Sequence, residues 1–333
     1  MTILMTGNVT NNIPSYERID YNLRPAKSIE RKMLCEAFRR LLYFSDLTEY
    51  RYVGFSSVFY SDFTLIHKSL GLTDLISIEK EEKDKVRFRF NRPYECIRLR
   101  FGYSNDVLPT ISWAKKTILW LDYDFKLDES MLTDISTFIS RAQTGSVILL
   151  TIDVTPDDQP NDIEGGKNRY EQLTERISKT KIPIDVKEKD LDKKYYPRVC
   201  YNIINNEIDE VLAIRNGGLE DDDKMIYRQL FNFIYKDGSS PMLSIGGIIF
   251  TKNDKDKILK CNFSRLQFIK SEKDKYEPYI INVPKLTFRE MRYLDKILPT
   301  CKGKKLRFIS KQVMNDYSKI YRYFPNFVEA EIH

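Results

Sequence analysis

Short apolar runs and amphipathic stretches alternate along residues 50–154 of this chain. Three strand-like runs end in a glycine or an acidic residue: Tyr50–Gly54, Asp74–Glu79 and Thr117–Asp122. The stretches between them carry apolar residues at helical spacing. Strands that alternate with helices in this way are typical of βαβ units with right-handed crossovers. The pattern therefore predicts a doubly wound, mostly parallel α/β sheet.

The same pattern predicts elements along the rest of the chain. Strands are expected at 51–54, 75–79, 96–101, 117–122, 147–154 and 242–250. Helices are expected at 62–70, 105–109, 129–141, 170–179, 205–236, 287–298 and 311–323. Pro25 is placed to open a further helix, whose apolar stripe is Ile29, Met33, Ala37 and Leu41. Thr287 and Glu290 have the spacing of a capping box.

Shifts in composition predict three regions. Residues 1–45 form an arm and a basic helix, and residues 46–260 form the Rossmann-like sheet domain. Within it, the charged, Pro- and Gly-punctuated segment 155–195 is predicted to be an insertion that leaves the core. Residues 251–333 hold 19 Lys and Arg against 10 Asp and Glu, so 261–333 is predicted to be a basic α+β C-terminal extension.

Arg24, Lys27 and Arg31 fall on one side of the first predicted helix. A concentrated basic edge of this kind suits a phosphate or a partner protein. A solvated helix face is the simpler interpretation and is the one preferred from sequence.

Composition excludes several classes of protein. The chain has only two histidines, His67 and His333, which argues against a Cys/His zinc site, and His67 is read as a helix-surface or packing residue. Its five scattered cysteines argue against a disulfide framework and for a reducing compartment. No apolar run reaches the roughly 18 residues of a membrane span, and the N-terminus lacks a signal-peptide pattern. We therefore predict a cytoplasmic protein that does not enter the membrane.

The ends of the predicted strands suggest a nucleoside ligand. In open α/β sheets, ligands bind beyond the carboxyl ends of the strands. Here a glycine follows the first strand and an acid follows the second, as in nucleoside-binding sheets. Gly54 and Glu79 lie 25 residues apart, close to the roughly 20 of a dinucleotide fingerprint.

Taken together, residues 40–260 resemble the S-adenosylmethionine-dependent methyltransferase fold. The resemblance implies S-adenosylmethionine as cofactor, with Glu79 accepting hydrogen bonds from the ribose hydroxyls and the segment 101–109 contacting the adenine. It implies that the fourth strand faces the methyl donor, with Asp122, Tyr123 and Asp124 as candidate catalytic residues. The implied cofactor-binding residues are Gly54, Phe55, Ser56, Ser57, Glu79, Phe101, Gly102 and Asn105.

A narrower similarity rests on two runs, Tyr21–Met33 and Tyr52–Phe63. Both look like segments of bacterial proteins described as O-methyltransferases. This resemblance implies an association with mobile or antiphage gene clusters.

The glycine loop departs from the methyltransferase pattern. Such loops usually keep two or three glycines, which let the backbone approach the ligand closely. Here only Gly54 remains, with Ser56 in the second place and Phe59 in the third. Phe59 is expected to narrow the pocket.

Three functions follow as alternatives. The first is an active methyltransferase, in which Asp122 or Asp124 serves as base or orients the acceptor. The second is an inactive, methyltransferase-like scaffold that binds a protein partner, or nucleic acid through its basic C-terminal region. The third is a Mg²⁺-dependent hydrolase using Asp122, Asp124 and Asp128, although the acid–x–Lys strand motif typical of such enzymes is missing there.

Overall fold

A computed structural model describes residues 24–159, 166–271, 275–300 and 306–325. Its strands form one sheet in the order β3-β2-β1-β4-β5-β7-β6-β8. The strands are β1 (Arg51–Phe55), β2 (Asp74–Glu79), β3 (Ile97–Phe101), β4 (Thr117–Lys126), β5 (Val147–Asp153), β6 (Met225–Tyr235), β7 (Met242–Thr251) and β8 (Tyr279–Ile281).

Strands β1 to β5 run parallel, and β7 runs antiparallel to both of its neighbours, β5 and β6. The direction in which the chain adds strands reverses between β1 and β4. In a doubly wound sheet, this switch point is where the carboxyl ends of the strands leave a crevice for a ligand. The observed order confirms the predicted doubly wound, mostly parallel α/β fold.

Helices cover both faces of the sheet. They are α1 (Pro25–Arg39), α2 (Ser61–Leu70), α3 (Lys85–Asn91), α4 (Ser104–Val107), α5 (Glu129–Arg141), α6 (Arg169–Arg176), α7 (Tyr196–Arg215), α8 (Lys255–Cys261), α9 (Phe288–Ile297) and α10 (Lys311–Ile320). Apolar side chains of α1, α2, α3 and α8 pack on one face, and those of α5, α6 and α7 pack on the other. The sheet therefore lies between two hydrophobic cores. None of the described helices is long and apolar enough to cross a membrane.

Helix α1 begins at Pro25, as predicted. Proline suits a first helical position because its missing N–H would have no partner there. The predicted stripe is confirmed, since Ile29, Met33 and Ala37 are fully buried against the sheet. This packing brings the start of α1 to the carboxyl ends of the strands, and Asp237, which follows β6, accepts hydrogen bonds from the backbone N–H groups of Ala26 and Lys27.

Two sequence predictions about the fold are wrong. The expected helix at 205–236 is instead the end of α7, a turn region and strand β6. Residues 225–235 are rich in aromatic and β-branched side chains, which favour a strand, and β6 pairs along its length with β7. The segment 155–195 does not leave the core, because its residues Leu173, Ile177 and Leu191 are buried in the core beside α5 and α7.

The described part of the C-terminal region also joins the sheet. Strand β8 pairs with the end of β6, and Phe268 and Tyr279 pack against Phe233. His67 lies away from the sheet's ligand edge, with its Nδ1 2.8 Å from the carbonyl oxygen of Leu72, so the packing interpretation of His67 is confirmed.

Candidate active site

A cavity of about 690 Å³ opens at the carboxyl ends of β1, β2 and β4, on the switch point of the sheet. Volumes of roughly 300–1,000 Å³ are typical of small-molecule sites. Of the residues predicted from sequence, its lining includes Phe55, Ser56, Ser57, Glu79, Gly102, Asn105, Asp122, Tyr123 and Asp124. Tertiary structure therefore brings nine of the eleven predicted residues to one cavity.

The other two predicted residues, Gly54 and Phe101, lie outside the cavity lining. Gly54 is buried in β1, and a Cβ atom there would lie 2.7 Å from the carbonyl oxygen of Trp120 on β4. The close approach of a neighbouring strand is thus sufficient to require glycine. The ring of Phe101 packs against Phe88 of α3 at a centroid distance of 6.4 Å.

The carboxylate of Glu79 is held by neutral donors. Its Oε1 atom accepts hydrogen bonds from the backbone N–H of Ser56 at 2.9 Å, the Ser56 hydroxyl at 2.6 Å and the Ser77 hydroxyl at 3.0 Å. Its other oxygen, Oε2, accepts none from the part of the chain that the structure describes. The serine that replaces a loop glycine therefore fixes the acid of the next strand.

Burial raises the pKa of Glu79 to about 8, because an ionised carboxylate loses most of its hydration at this position. The hydrogen bonds from Ser56 and Ser77 favour the ionised form and offset part of this effect. No cation pairs with Glu79 among the described residues. Its side chain is therefore largely protonated at neutral pH.

Asp122 lies in a different environment, beside a buried lysine from α1. The Lys27 ammonium is 2.7 Å from Asp122 Oδ1, 2.8 Å from Glu30 Oε2 and 3.1 Å from the Tyr235 hydroxyl. It also lies 4.4 Å from the centre of the Trp120 ring. The side chains of Lys27 and Glu30 are fully buried, whereas that of Asp122 is 15% exposed at the cavity.

The solvated basic face predicted for α1 is therefore wrong. Lys27 and Arg31 point into the protein, because the apolar stripe of α1 lies flat on the sheet and carries its first turns over the strand ends. A buried ammonium is tolerated only with compensating partners, and Asp122, Glu30 and Tyr235 supply them.

Burial opposes ionisation of Asp122, but the charges of Lys27 and Arg24 outweigh it and hold its pKa below the ordinary value. For Glu30 the balance is reversed, and burial raises the pKa despite Lys27. Although Glu30 Oε2 is within ion-pair distance of Lys27, neither oxygen of Glu30 makes a well-aligned hydrogen bond. Lys27 is thus the shared counter-ion of both acids, and it donates a hydrogen bond to Asp122.

A second buried ion pair lines the cavity between α1 and α2. The Arg31 guanidinium donates a hydrogen bond to Asp62 Oδ1, and both side chains are about nine-tenths buried. Asp62 outweighs the effect of burial and raises the pKa of Arg31, which stays charged. The sequence gives no signal for this pairing beyond the presence of the two charges.

Tyr123 points to the opposite side of β4 from Asp122, since neighbouring strand residues alternate in direction. Its hydroxyl donates a hydrogen bond to Asp134 Oδ2 on α5. The Asn105 amide donates to Asp134 Oδ1 at 2.9 Å. Burial raises the pKa of Asp134 to about 6. Tyr123 and Asn105 therefore form one wall of the cavity, and their polar groups donate hydrogen bonds to the Asp134 carboxylate in that wall.

Aromatic side chains surround the cavity mouth. Tyr103 and Phe125 line the cavity and are exposed by 68% and 53%. The Lys80 ammonium lies 4.7 Å from the centre of the Phe125 ring. Phe59, which the sequence placed in the pocket, is 46% exposed and lies outside the lining. The prediction that Phe59 narrows the cavity is wrong, because the chain turns after Ser57 and directs this ring to the surface.

Acidic side chains near the cavity do not form a metal site. Across residues 24–159, 166–271, 275–300 and 306–325, no group of three His, Cys, Asp or Glu side chains is placed to hold a metal ion. Asp128 instead caps helix α5, accepting a hydrogen bond from the backbone N–H of Met131 at 3.0 Å. This arrangement gives no support to the Mg²⁺-dependent alternative.

Comparison with known proteins gives one match along nearly the whole chain. A family model described as "Putative O-methyltransferase" matches residues 19–332. No curated protein matches the sequence.

A search of solved structures finds several matches at low sequence identity and low TM-score. An rRNA methylase from Streptococcus thermophilus is 9% identical, with a TM-score of 0.33 over 64% of this chain and 94% of that one. The S-adenosylmethionine-dependent methyltransferase SibL is 11% identical, with a TM-score of 0.31 over 63% of this chain and 54% of that one. Cofactor-bound Rv0187 from MTB is 12% identical, with a TM-score of 0.33 over 72% of this chain and 92% of that one. This chain spans about half the length of SibL.

Proposed function

This chain belongs to the O-methyltransferase family, and we propose that it transfers a methyl group from S-adenosylmethionine to a hydroxyl acceptor. The observation that carries the proposal is the cavity at the switch point, which contains a neutral acid on β2 and an ionised acid on β4. Each acid suits one of the two molecules that a methyltransferase must hold.

The Glu79 side of the cavity has the features of a nucleoside site. Glu79 Oε2 is free of hydrogen bonds from the described residues, while Oε1 is fixed by Ser56 and Ser77. Once Glu79 has lost its proton, a carboxylate held in this way accepts hydrogen bonds from two neighbouring hydroxyls, such as those of a ribose. Gly102 and Tyr103, which follow β3, line the same side and offer a surface for the base. Gly54 and Phe101 support this side from behind the lining.

The Asp122 side suits the acceptor. The bound cofactor would supply an electrophilic methyl group on a sulfonium. Lys27 occupies Asp122 Oδ1, so Oδ2 is the atom that accepts the hydrogen bond of an incoming hydroxyl. This bond orients the acceptor oxygen, and Asp122 receives its proton as the oxygen loses it. Asp124, two residues further along β4, also lines the cavity.

The lowered pKa of Asp122 limits it to a weak base. A weak base removes a proton efficiently only from a hydroxyl that is itself acidic or whose proton leaves late in the reaction. The proposal therefore favours an acidic hydroxyl, such as a phenol, over a simple alcohol.

Binding of S-adenosylhomocysteine, measured by isothermal titration, tests the cofactor half of the proposal. Wild type is expected to bind, and Glu79→Gln is expected to bind about 10- to 100-fold more weakly, as for the loss of hydrogen bonds to a charged group. Glu95→Gln, an exposed acid far from the cavity lining, is the matched control. Gly54→Val is unsuitable because its side chain would collide with the backbone of β4.

No binding by well-folded wild type would contradict the proposal. The fold would then serve as a scaffold, which is the second function considered from sequence.

A further inference from the structure

A short segment carries a local excess of positive charge, and all of its residues except Lys83 and Phe88 lie outside the cavity lining. Residues 83–100 hold seven Lys and Arg against two Asp and Glu. The whole chain of 333 residues has a net charge of only +6. This segment forms helix α3 and the edge strand β3, far along the chain from the basic C-terminal region.

Four arginines of this segment line one groove on the surface. The groove has a volume of about 450 Å³ and is formed by Arg89, Arg92, Arg98 and Arg100 around Leu99. Helix α3 is fixed over β3 by Phe88, whose side-chain ring is buried. The backbone carbonyl oxygen of Phe88 also accepts a hydrogen bond from the Tyr60 hydroxyl at 2.8 Å. The arginines therefore converge because the underlying backbone is held in place.

Carboxylates neutralise little of this charge. Asp74 is the acid that pairs with Arg98, and it is shared with Arg51 at 3.1 Å and Lys115 at 3.0 Å. Over the described part of the chain, no carboxylate pairs with Arg89, Arg92 or Arg100. Within the described ranges, the acceptor of Arg92 is the carbonyl oxygen of Ile97, at 3.2 Å. The groove thus keeps an excess of guanidinium groups.

Protection of a sheet edge explains only part of this arrangement. Charged side chains on an edge strand prevent pairing with another chain, and this accounts for Arg98 and Arg100 on β3. It does not account for Arg89 on α3 or Arg92 in the following loop. Arginine also presents a planar fork of donors that matches a phosphate.

Apolar side chains lie exposed on the same helix. Phe90 is 88% exposed and Val86 is 78% exposed. They are four residues apart, so they lie on one side of α3. Phe90 lies outside the groove lining and directly follows Arg89 on α3. An exposed aromatic ring beside an arginine is the combination that single-stranded nucleic acid uses, because bases stack on the ring while phosphates contact the cations. An acidic polypeptide would use the arginines but not the ring.

We propose that the arginine groove of α3 and β3 binds the phosphate backbone of single-stranded nucleic acid, with a base stacked on Phe90. This binding is separate from methyl transfer and does not require the cofactor. This groove is a different surface from the basic C-terminal region, for which nucleic-acid binding was the prediction from sequence.

Fluorescence anisotropy with a labelled oligouridylate tests the proposal on the full chain. Arg89→Ala/Arg92→Ala/Arg100→Ala is expected to weaken binding by about 30-fold at moderate salt. The slope of log affinity against log salt concentration should fall by about 2, as for three lost contacts with a single strand. Phe90→Ala is expected to weaken binding about tenfold and to leave this slope unchanged.

The matched control is Arg198→Ala/Arg265→Ala/Arg289→Ala, which removes three exposed arginines elsewhere, two of them in the C-terminal region. It is expected to bind like wild type. Thermal unfolding of each variant separates lost binding from lost folding. Equal weakening by both triple variants, or no binding by wild type, would overturn the proposal. Tighter binding of polyglutamate than of the oligouridylate, with no effect of Phe90→Ala, would overturn it in favour of an acidic protein partner.

Discussion

The two acids at the ends of β2 and β4 are chemically similar, lie in the same cavity and have opposite pKa shifts. Glu79 is surrounded by hydroxyl and backbone donors, and burial raises its pKa to about 8. Asp122 has Lys27 and Arg24 beside it, and their charges hold its pKa below the ordinary value although burial opposes them. Hydrogen bonds from neutral donors offset only part of the increase in pKa that burial of a carboxylate causes. The charge of a nearby cation lowers the pKa by more than burial raises it. The partner, and not the residue type, decides the protonation state.

The largest effect on the contrast between Asp122 and Glu79 is expected from removal of the Lys27 ammonium. Lys27→Met leaves Asp122 and Glu30 buried without their shared counter-ion, at an expected cost of about 3–5 kcal/mol in the free energy of unfolding at pH 7. Urea unfolding measures it, with the exposed Lys68→Met as control, which should change stability by less than about 0.5 kcal/mol.

The cost of Lys27→Met should depend on pH. The lowered pKa of Asp122 contributes stability that is present above its unfolded-state pKa and is lost as the pH falls through the folded-state value. The difference between wild type and Lys27→Met should therefore shrink as the pH falls. It should go on shrinking below about pH 3.9, the ordinary pKa of aspartate, because Asp122 in the folded wild type loses its charge only below that value. A difference independent of pH would show that packing, and not charge, is what Lys27 contributes.

For Glu79, the stability of the fold is expected to depend on pH in the opposite direction. Its raised pKa means that the folded protein binds a proton more tightly than the unfolded chain, so stability falls as the pH rises from about 4.5 to about 8. Glu79→Gln cannot ionise and should be more stable than wild type by about 2–4 kcal/mol at pH 8 and nearly equal to it at pH 5. Thermal unfolding at the two pH values measures this, and destabilisation at pH 8 would contradict the assignment.

Cofactor binding should follow the same titration. A ribose donates hydrogen bonds to the ionised form of Glu79, so affinity for S-adenosylhomocysteine should rise about tenfold per pH unit up to about pH 8 and then level off. Calorimetry in buffers of different ionisation enthalpy should detect one proton released on binding near pH 7. In Glu79→Gln, this component of the pH dependence should disappear. An unchanged pH profile in that variant would assign the titration to another group.

The smallest effect on stability and cofactor binding is expected from a change in the cavity wall that Tyr123 and Asn105 form. Tyr123→Phe removes the hydroxyl that donates to Asp134, at a cost of about 1 kcal/mol. Because this hydroxyl lowers the pKa of Asp134, its loss should raise that pKa above about 6. Affinity for S-adenosylhomocysteine should stay within about twofold of wild type. A large loss of affinity would mean that the hydroxyl turns towards the ligand, as the sequence prediction of a catalytic Tyr123 requires.

Sequence patterns predicted the part of the site that lies on neighbouring strand ends. Glu79 and Asp122 follow recognisable apolar runs, and a parallel sheet necessarily brings the carboxyl ends of its strands to one edge. The roles of the individual site residues, and the implied antiphage association, stay predictions. Residues 225–235 have no clear period of their own, and the sequence pattern therefore predicts that the helix of residues 205–236 includes them. Their pairing with β7, a later segment, made them a strand.

The chain by itself determined the order of strands β1 to β5, the doubly wound sheet and the positions of the two acids, because these depend on local periodicity and on the chirality of βαβ units. Only the tertiary structure decided how those acids are charged. Lys27 is 95 residues from Asp122 and 208 from Tyr235, and no local pattern distinguishes it from a solvated lysine. Its burial follows from the way α1 packs on the sheet, and the energy of a charge depends on everything within a few ångströms of it.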